Sequence, residues 1–304
     1  MAGMNQFKTL ALLALLSGLI VLAGYLLVGN ETGLYYGLAF AALSSFGSWY
    51  YSDQAALAAF QAKPTPREEA PELYSRIEKL CDRAEIPTPA IYIVPSESPN
   101  AFATGRDPNH AAIALTEGLI KLLPPEELDA VIAHELTHVR NRDTLTQAVA
   151  GTLAGSLTYL GRILTLGALY FPMSRAGRRG SNPIAILFLL IVGPLAAGLI
   201  QMAISRTREF AADAGAAEIT GNPLALVRAL EALEATGQKV PIHGNPAFAP
   251  LFIVNPLSRE GLMTLFMTHP PIEERIKRLK DMAEQAAQQA EKQAESSTTL
   301  SPSV

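Results

Sequence analysis

His134-Glu135-Leu136-Thr137-His138 is the stretch of this sequence best equipped for chemistry. On a helix, two histidines four residues apart lie one above the other on one face. Both imidazoles can then grip a single zinc ion, while the intervening glutamate sits beside the metal's open position. That is a hydrolytic centre lacking one ligand. With only 5 histidines in 304 residues, chance supplies roughly 0.01 such pentads. The bland alternative is a pair of satisfied core histidines. It is weakened by Val131, Ile132 and Ala133 just ahead, an apolar setting in which two imidazoles are costly unless ligated or hydrogen-bonded.

A catalytic zinc takes three protein ligands plus water, and a glutamate from a second helix is one standard third partner. Glu209, in Arg206-Thr207-Arg208-Glu209-Phe210-Ala211-Ala212-Asp213, is the candidate. Asp213 stands one turn further on the same face, where it can accept the other ring N–H of a ligating histidine and fix its tautomer. Without the pentad, the two acids read equally well as a solvated helix face. A third histidine in the metzincin pattern is excluded, because Thr144 stands at the histidine position and Asn141 at the required glycine. A structural zinc site would be closed by four protein ligands and would need no carboxylate beside the first histidine, so Glu135 favours catalysis over a non-enzymatic scaffold. His110 and His243 read as surface or structural.

The pentad needs a helix, and Pro124-Pro125-Glu126-Glu127 starts one, with prolines suited to the first turn and carboxylates to its positive end. No glycine or proline interrupts before Gly151, so this helix is expected to run through Arg140-Asn141-Arg142-Asp143 into the apolar stretch beginning at Leu145. A second helix is expected from Gly198 through Glu209 and Asp213 to a stop near Gly221-Asn222-Pro223. Upstream, Lys63 to Glu69 reads as a linker and Pro71 to Ala84 as an amphipathic helix, with Cys81 in line with Leu73, Ile77 and Leu80 on its core face. Ala90 to Val94 and Ala111 to Thr116 read as strands around a loop from Pro95 to Pro108. The small sheet either offers an edge to an extended substrate backbone or only covers the helix. Gln238 to Leu257, with four prolines, reads as loop. Ile272 to Gln293 is spaced for an amphipathic helix through Ile276, Leu279 and Met282, fading into a tail at Ser296 to Thr299 that reads as disordered.

Composition sets the surroundings. Hydrophobic residues make up 49% and charged residues 17%, and the mean hydropathy of +0.20 calls for membrane segments. A net charge of −4 without a basic block argues against nucleic acid as a partner. The single cysteine excludes an intramolecular disulfide. Leu10 to Val28 carries no charge and is long enough to cross a bilayer. Leu34 to Tyr51 follows after Asn30-Glu31-Thr32 and ends in an interfacial belt of Trp49, Tyr50 and Tyr51. A cleaved signal peptide, suggested by Lys8, Ala23 and Gly24, fits less well, because the run exceeds a usual signal core and a second apolar run follows at once. Leu145 to Phe171, which contains Arg162, and Pro183 to Ile204 form a second apolar pair.

The expected fold is therefore mainly α with a small β-sheet, a polytopic α-helical membrane protein carrying a zinc protease domain in two parts. Residues 1–52 form a transmembrane hairpin with spans about 9–29 and 33–51. Residues 53–144 hold the pentad helix, 145–204 a second hairpin with spans about 145–171 and 183–204, 205–283 the third ligand, and 284–304 a polar tail. Lysines and arginines between Tyr51 and Leu145 and after Ile204 place both parts of the protease domain in the cytoplasm. Arg175, Arg178 and Arg179 would then lie outside, unless the second pair is a hairpin that does not cross; two spans are preferred.

The chain resembles the HtpX membrane zinc endopeptidases. The resemblance rests on the two N-terminal spans, Asn100-Ala101-Phe102-Ala103-Thr104-Gly105, the pentad extended to Asp143, the run from Ser205 to Asp213, and Thr268-His269-Pro270-Pro271-Ile272-Glu273-Glu274-Arg275-Ile276, in that order over nearly the whole chain. HtpX proteins share a gluzincin ligand set with their distant relatives, the CAAX prenyl proteases. The resemblance implies one Zn²⁺ held by His134, His138 and Glu209, with Glu135 as base. It also implies quality control of damaged membrane proteins in a bacterial or archaeal membrane from the cytoplasmic face, with self-cleavage as one outlet and stress response as the setting. His269 would stabilise the oxyanion or fill the open zinc position at rest, or else merely cap the following helix. Asn100, Phe102 and Arg106 would line the substrate cleft. A prenyl-protein protease is the alternative chemistry.

Overall fold

In a computed structural model of the chain, residues 2–144, 191, 208–237 and 270–299 are described. The chain opens with helices α1 (Ala2–Val28) and α2 (Glu31–Ala59). Gly29, at φ +77°, ends the first, and Asn30 caps the second by accepting from the Thr32 N–H at 3.0 Å. The two helices touch backbone to backbone. A Cβ at Gly24 would collide with the Gly33 carbonyl, and one at Gly37 would stand 2.7 Å from Val21 Cα, so only glycine permits this approach. Outward, the hairpin exposes Leu22, Tyr25, Tyr35, Tyr36, Leu38, Leu43 and Phe46. Among the described residues, which omit the side chains of the first turns of α1, no helix is long and apolar enough to cross a membrane.

Strands β1 (Lys63–Pro64), β2 (Ala90–Val94), β3 (Ala101–Gly105) and β4 (Ala111–Thr116) form one sheet in the order β1-β2-β4-β3. β2 and β4 are parallel, running from Ala90 opposite Ala112 to Val94 opposite Thr116, and the outer pairs are antiparallel. Two of these strands fall where loops were expected. β3 lies inside the Pro95 to Pro108 stretch, and the reason it escapes notice is burial: every residue of Ala-Phe-Ala-Thr-Gly is buried, so the polar–apolar alternation that marks a half-exposed strand is missing. β1 pairs over two residues only, too short to leave a pattern.

Helices α3 (Pro71–Ala84), α4 (Glu117–Leu122), α5 (Pro125–Arg140), α6 (208–220), α7 (Pro223–Gly237) and α8 (Ile272–Thr299) complete the described chain. The main core joins Ile77, Leu80 and Cys81 of α3 to Ile113 and Leu115 of the sheet, Ile132 and Leu136 of α5, Leu230 of α7 and Leu279 of α8. Burial pushes the Cys81 thiol up to about 11, so it stays a protonated packing group. On the opposite face of the sheet, Val94, Phe102 and Ala114 pack with Ala56 and Phe60 at the end of α2. The Phe60 and Phe102 rings are 4.8 Å apart, which ties the hairpin to the edge strand.

Two helix boundaries differ from expectation. α5 does not run on into the apolar stretch; it ends at Arg140. The Asn141 N–H closes the last α-turn on the Thr137 carbonyl, the Arg142 N–H bonds the Val139 carbonyl, and Arg142 takes φ +58°, which breaks the helix before Asp143. At the other end, α8 continues past Gln293 to Thr299. The second apolar pair, the proline-rich Gln238 to Leu257 stretch, His243 and His269 lie outside the described residues. Phe102→Ala should lower the thermal midpoint of the detergent-solubilised protein, at a cost of about 3–5 kcal/mol for an emptied aromatic site; an unchanged midpoint would show that the α2 contact contributes nothing.

Candidate metal centre

The inner face of α5 is closed to solvent along its C-terminal half, from Ala130 to Val139. His134 and His138 therefore project into the interior, 2% and 7% exposed, with their Nε2 atoms 3.2 Å apart. α6 brings Glu209 to the same point: its Oε2 lies 3.6 Å from His134 Nε2 and its Oε1 3.5 Å from His138 Nε2. Ligand atoms from these three buried residues all fall within 4.8 Å of one another. α6 can come this close because position 215 is glycine. A Cβ there would stand 2.6 Å from the Thr137 hydroxyl of α5.

Each imidazole is also approached from behind by a carboxylate. Asp143 Oδ2 lies 3.1 Å from His138 Nδ1, and Asp213 Oδ1 lies 3.1 Å from His134 Nδ1. The second contact is at ion-pair distance but off the hydrogen-bond line, so the first is the better aligned. A carboxylate only accepts, so the proton of each neutral ring belongs on Nδ1 and each Nε2 turns a lone pair inward. Two imidazole lone pairs and a carboxylate thus converge on one small space. Donors of a tetrahedral zinc with bonds of about 2.0–2.1 Å stand about 3.3 Å apart, close to the 3.2, 3.5 and 3.6 Å found here. Charge agrees with geometry. Among the described residues, the buried carboxylates are Glu135, Asp143, Glu209 and Asp213 and the buried guanidiniums Arg208 and Arg275, leaving two negative charges that one divalent cation would neutralise. The donor set fits zinc.

The same balance governs protons. Burial opposes charging His134, but Asp213 and Glu209 outweigh it and raise its pKa. For His138, burial is again overcome, by Asp143 and Glu209, and the pKa rises well above the ordinary imidazole value. Burial lifts the Glu135 carboxyl above the usual carboxylate range, although its Oε2 accepts from the Ala103 N–H of β3 at 2.9 Å. For Asp213, burial works upward, but Arg275 and His134 hold the carboxyl low.

The structure brings His134, His138, Glu209, Glu135 and Asp213 together. It places three other expected residues elsewhere. Phe102 is buried on the α2 side of the sheet, away from α5, because side chains alternate along β3 and only its backbone at Ala103 meets Glu135. Asn100 is buried and its N–H donates to the Thr116 hydroxyl at 2.8 Å, which fixes the start of β3. Arg106 lies over the Tyr50 ring of α2 at 5.9 Å and within 3.8 Å of Asp107. His110 is on the surface, its Nδ1 3.0 Å from Asp107 Oδ1.

Three residues of the centre escaped the sequence reading. Asp143 was hidden by the assumption of a continuous helix, which would have turned it away from His138. Arg208 and Arg275 received no role from the sequence. For Arg275 a signal was there: it stands three residues after Ile272 and four before Leu279, on the apolar stripe of α8.

The sequence signature of Peptidase family M48 matches residues 67–283, a span that includes every residue of the centre. The chain is 52% identical over 281 residues to the protein "Protease HtpX homolog" of Nostoc punctiforme, over 92% of this chain and 97% of that one. It is 46% identical over 282 residues to a protein of the same description from Thermococcus sibiricus, over 91% and 96%. Among solved structures, S. mikatae Ste24p matches with a TM-score of 0.55 and 23% identity, over 91% of this chain and 65% of that one, a likeness of fold.

The raised imidazole values set a test. In chelated protein, the interaction of the imidazolium ions with their carboxylates stabilises the fold fully below about pH 6.5, the value in an unfolded chain. It is lost as pH rises through the higher folded values. Chelated protein should therefore melt at a lower temperature at pH 8.5 than at pH 6, whereas the protection given by added zinc should grow over the same interval as protons leave the ligands. A chelated protein that gains stability toward pH 8.5 would contradict this electrostatic reading.

Proposed function

The chain belongs to peptidase family M48, with the HtpX proteases, and is a metalloprotease; from that premise we propose that it is a membrane-bound zinc endopeptidase that cleaves misfolded or damaged membrane proteins at the cytoplasmic face. The buried triangle of His134, His138 and Glu209 with Glu135 beside it carries this reading. These three residues would hold one zinc per chain. When bound, zinc supplies a Lewis acid for the scissile carbonyl and makes its water a nucleophile near neutral pH.

Glu135 is the proposed general base. The Ala103 amide pins its Oε2, which leaves Oε1 to take the proton of the attacking water and return it to the leaving amine. The upward push of burial on this carboxyl moves it toward the range in which a base works at neutral pH. β3 is one of the sheet's two edge strands, and the Ala103 N–H points away from β4 toward α5. An extended substrate is therefore proposed to lie along this edge, paired to its backbone across the metal. His269 is proposed to stabilise the oxyanion or to occupy the metal at rest. In support, Arg275, six positions later on α8, reaches within 3.5 Å of Glu209.

Placement in a membrane is supported by the charge-free run from Leu10 to Val28 and by the exposed tyrosines, leucines and phenylalanine of the α1–α2 hairpin. The positive-inside argument supports the cytoplasmic side. The second apolar pair connects α5 to α6, so a substrate leaving the bilayer would arrive beside the ligands. A prenyl-protein substrate is less favoured, since four candidate spans do not build a large intramembrane chamber.

Glu135→Gln should retain zinc and lose at least about a hundredfold in cleavage of an unfolded test protein; undiminished cleavage would remove Glu135 from the role of base. Glu209→Ala should sharply weaken zinc binding, and wild-type metal content in that variant would reassign the third ligand. Purified full-length protein in detergent should cleave itself with zinc and stop when chelated. Cleavage that persists under chelation would overturn the zinc reading.

A further inference from the structure

We propose that Arg208 and Arg275 are positioning residues of the metal centre, each guanidinium locking the carboxylate that orients one of the two ligating imidazoles. Two chains of contact run outward from the ligand triangle. In one, His138 Nδ1 meets Asp143 Oδ2 at 3.1 Å. Asp143 is held in turn by Arg208, whose Nε lies 3.4 Å from Oδ1 and whose Nη1 donates to the Asp143 backbone carbonyl at 2.9 Å. In the other, His134 Nδ1 meets Asp213 Oδ1 at 3.1 Å. Arg275 grips Asp213 with two parallel bonds, its Nε donating to Oδ2 at 2.9 Å and its Nη2 to Oδ1 at 2.6 Å. Its remaining nitrogen, Nη1, stands 3.5 Å from Glu209 Oε2.

Geometry and cost both point to orientation. A bare aspartate behind a histidine can rotate about its side-chain bonds and carry the imidazole with it. Arg275, whose planar guanidinium engages both oxygens of Asp213, fixes that carboxylate plane and so the direction of the His134 Nε2 lone pair, whereas Arg208 holds Asp143 through one carboxylate oxygen and the backbone carbonyl. Arg275 is 0% and Arg208 5% exposed. A charge so deeply buried is expensive, and hydrophobic residues of similar volume would serve packing as well or better. Neither arginine comes from the pentad helix. Arg208 precedes Glu209 on α6, so one short segment carries a metal ligand and the clamp on the other arm. Arg275 arrives from α8, more than sixty residues later in the chain. A competent centre therefore requires α8 to be seated against α6.

This inference rests on the zinc reading, and the test separates the two. Zinc affinity of full-length protein in detergent is measured by competition with a chromogenic chelator, and the cobalt-substituted protein is examined for the visible absorption of a tetrahedral site. Arg208→Lys and Arg275→Lys, which keep the charge and lose the paired contacts of the guanidinium, should each bind zinc about 10- to 100-fold more weakly and shift the cobalt spectrum. Lys280→Gln, a half-exposed charge on α8, should change neither. If a lysine variant does not fold, Arg275→Gln combined with Asp213→Asn replaces the buried ion pair by a neutral hydrogen-bonded one, and it too should lose affinity and alter the spectrum. Zinc affinity and cobalt spectrum equal to wild type in the folded arginine variants would overturn the positioning role. Failure of the wild-type protein to bind zinc would instead overturn the metal reading beneath it.

Discussion

Three electron-pair donors forced together in an apolar interior are the constraint on which the rest of this structure depends. Nε2 of His134, Nε2 of His138 and the carboxylate of Glu209 stand 3.2 to 3.6 Å apart, where lone pairs repel unless a cation lies between them. Water cannot relieve the repulsion, because the residues are almost wholly buried. Either protons or a metal must supply positive charge. The raised pKa values of both histidines and the surplus of two negative charges express one demand, and a single divalent ion meets it with less disturbance to the neutral ligand tautomers.

α6 is the element through which that demand is organised. It carries Arg208, Glu209 and Asp213 within six residues, and Gly215 lets it pack directly against Thr137 of α5. It thereby supplies a ligand, the acid behind His134 and the cation behind Asp143. The pentad helix contributes two ligands and the base, but cannot orient its own histidines. One of them relies on the break in the helix at Arg142, after which Asp143 meets His138; the other relies on α6, and through Asp213 on α8. Removing any one partner would leave a buried charge uncompensated, so these contacts depend on one another.

The edge strand has a parallel role on the other side of Glu135. Its backbone amide at Ala103 positions the base, while its side chain at Phe102 packs against Phe60 beyond the end of α2. One short strand thus couples the N-terminal hairpin to the reactive carboxylate through alternating residues. This explains why Phe102 sits in the core although its immediate neighbour touches the centre.

The pentad, the third ligand one turn before another acid, the N-terminal helical pair and helices α3, α5 and α8 were legible in the residue pattern, because each depends on local spacing: a separation of four between the histidines, four between Glu209 and Asp213, 3.6 along the three helices. What the pattern did not carry was anything set by contact between distant segments. β3 was invisible because both its faces are covered, so no alternation survives. The end of α5 was invisible because no glycine or proline marks it, and the contact of Asp143 with His138 follows only from the break at Arg142. Arg275 stands on the apolar stripe of α8, but no spacing names its partner Asp213, 62 residues earlier in the chain. The sequence by itself determined which atoms could bind a metal and move a proton. Tertiary structure alone decided which carboxylate stands behind which imidazole and which guanidinium stands behind each carboxylate, because burial, not spacing, makes those pairings obligatory.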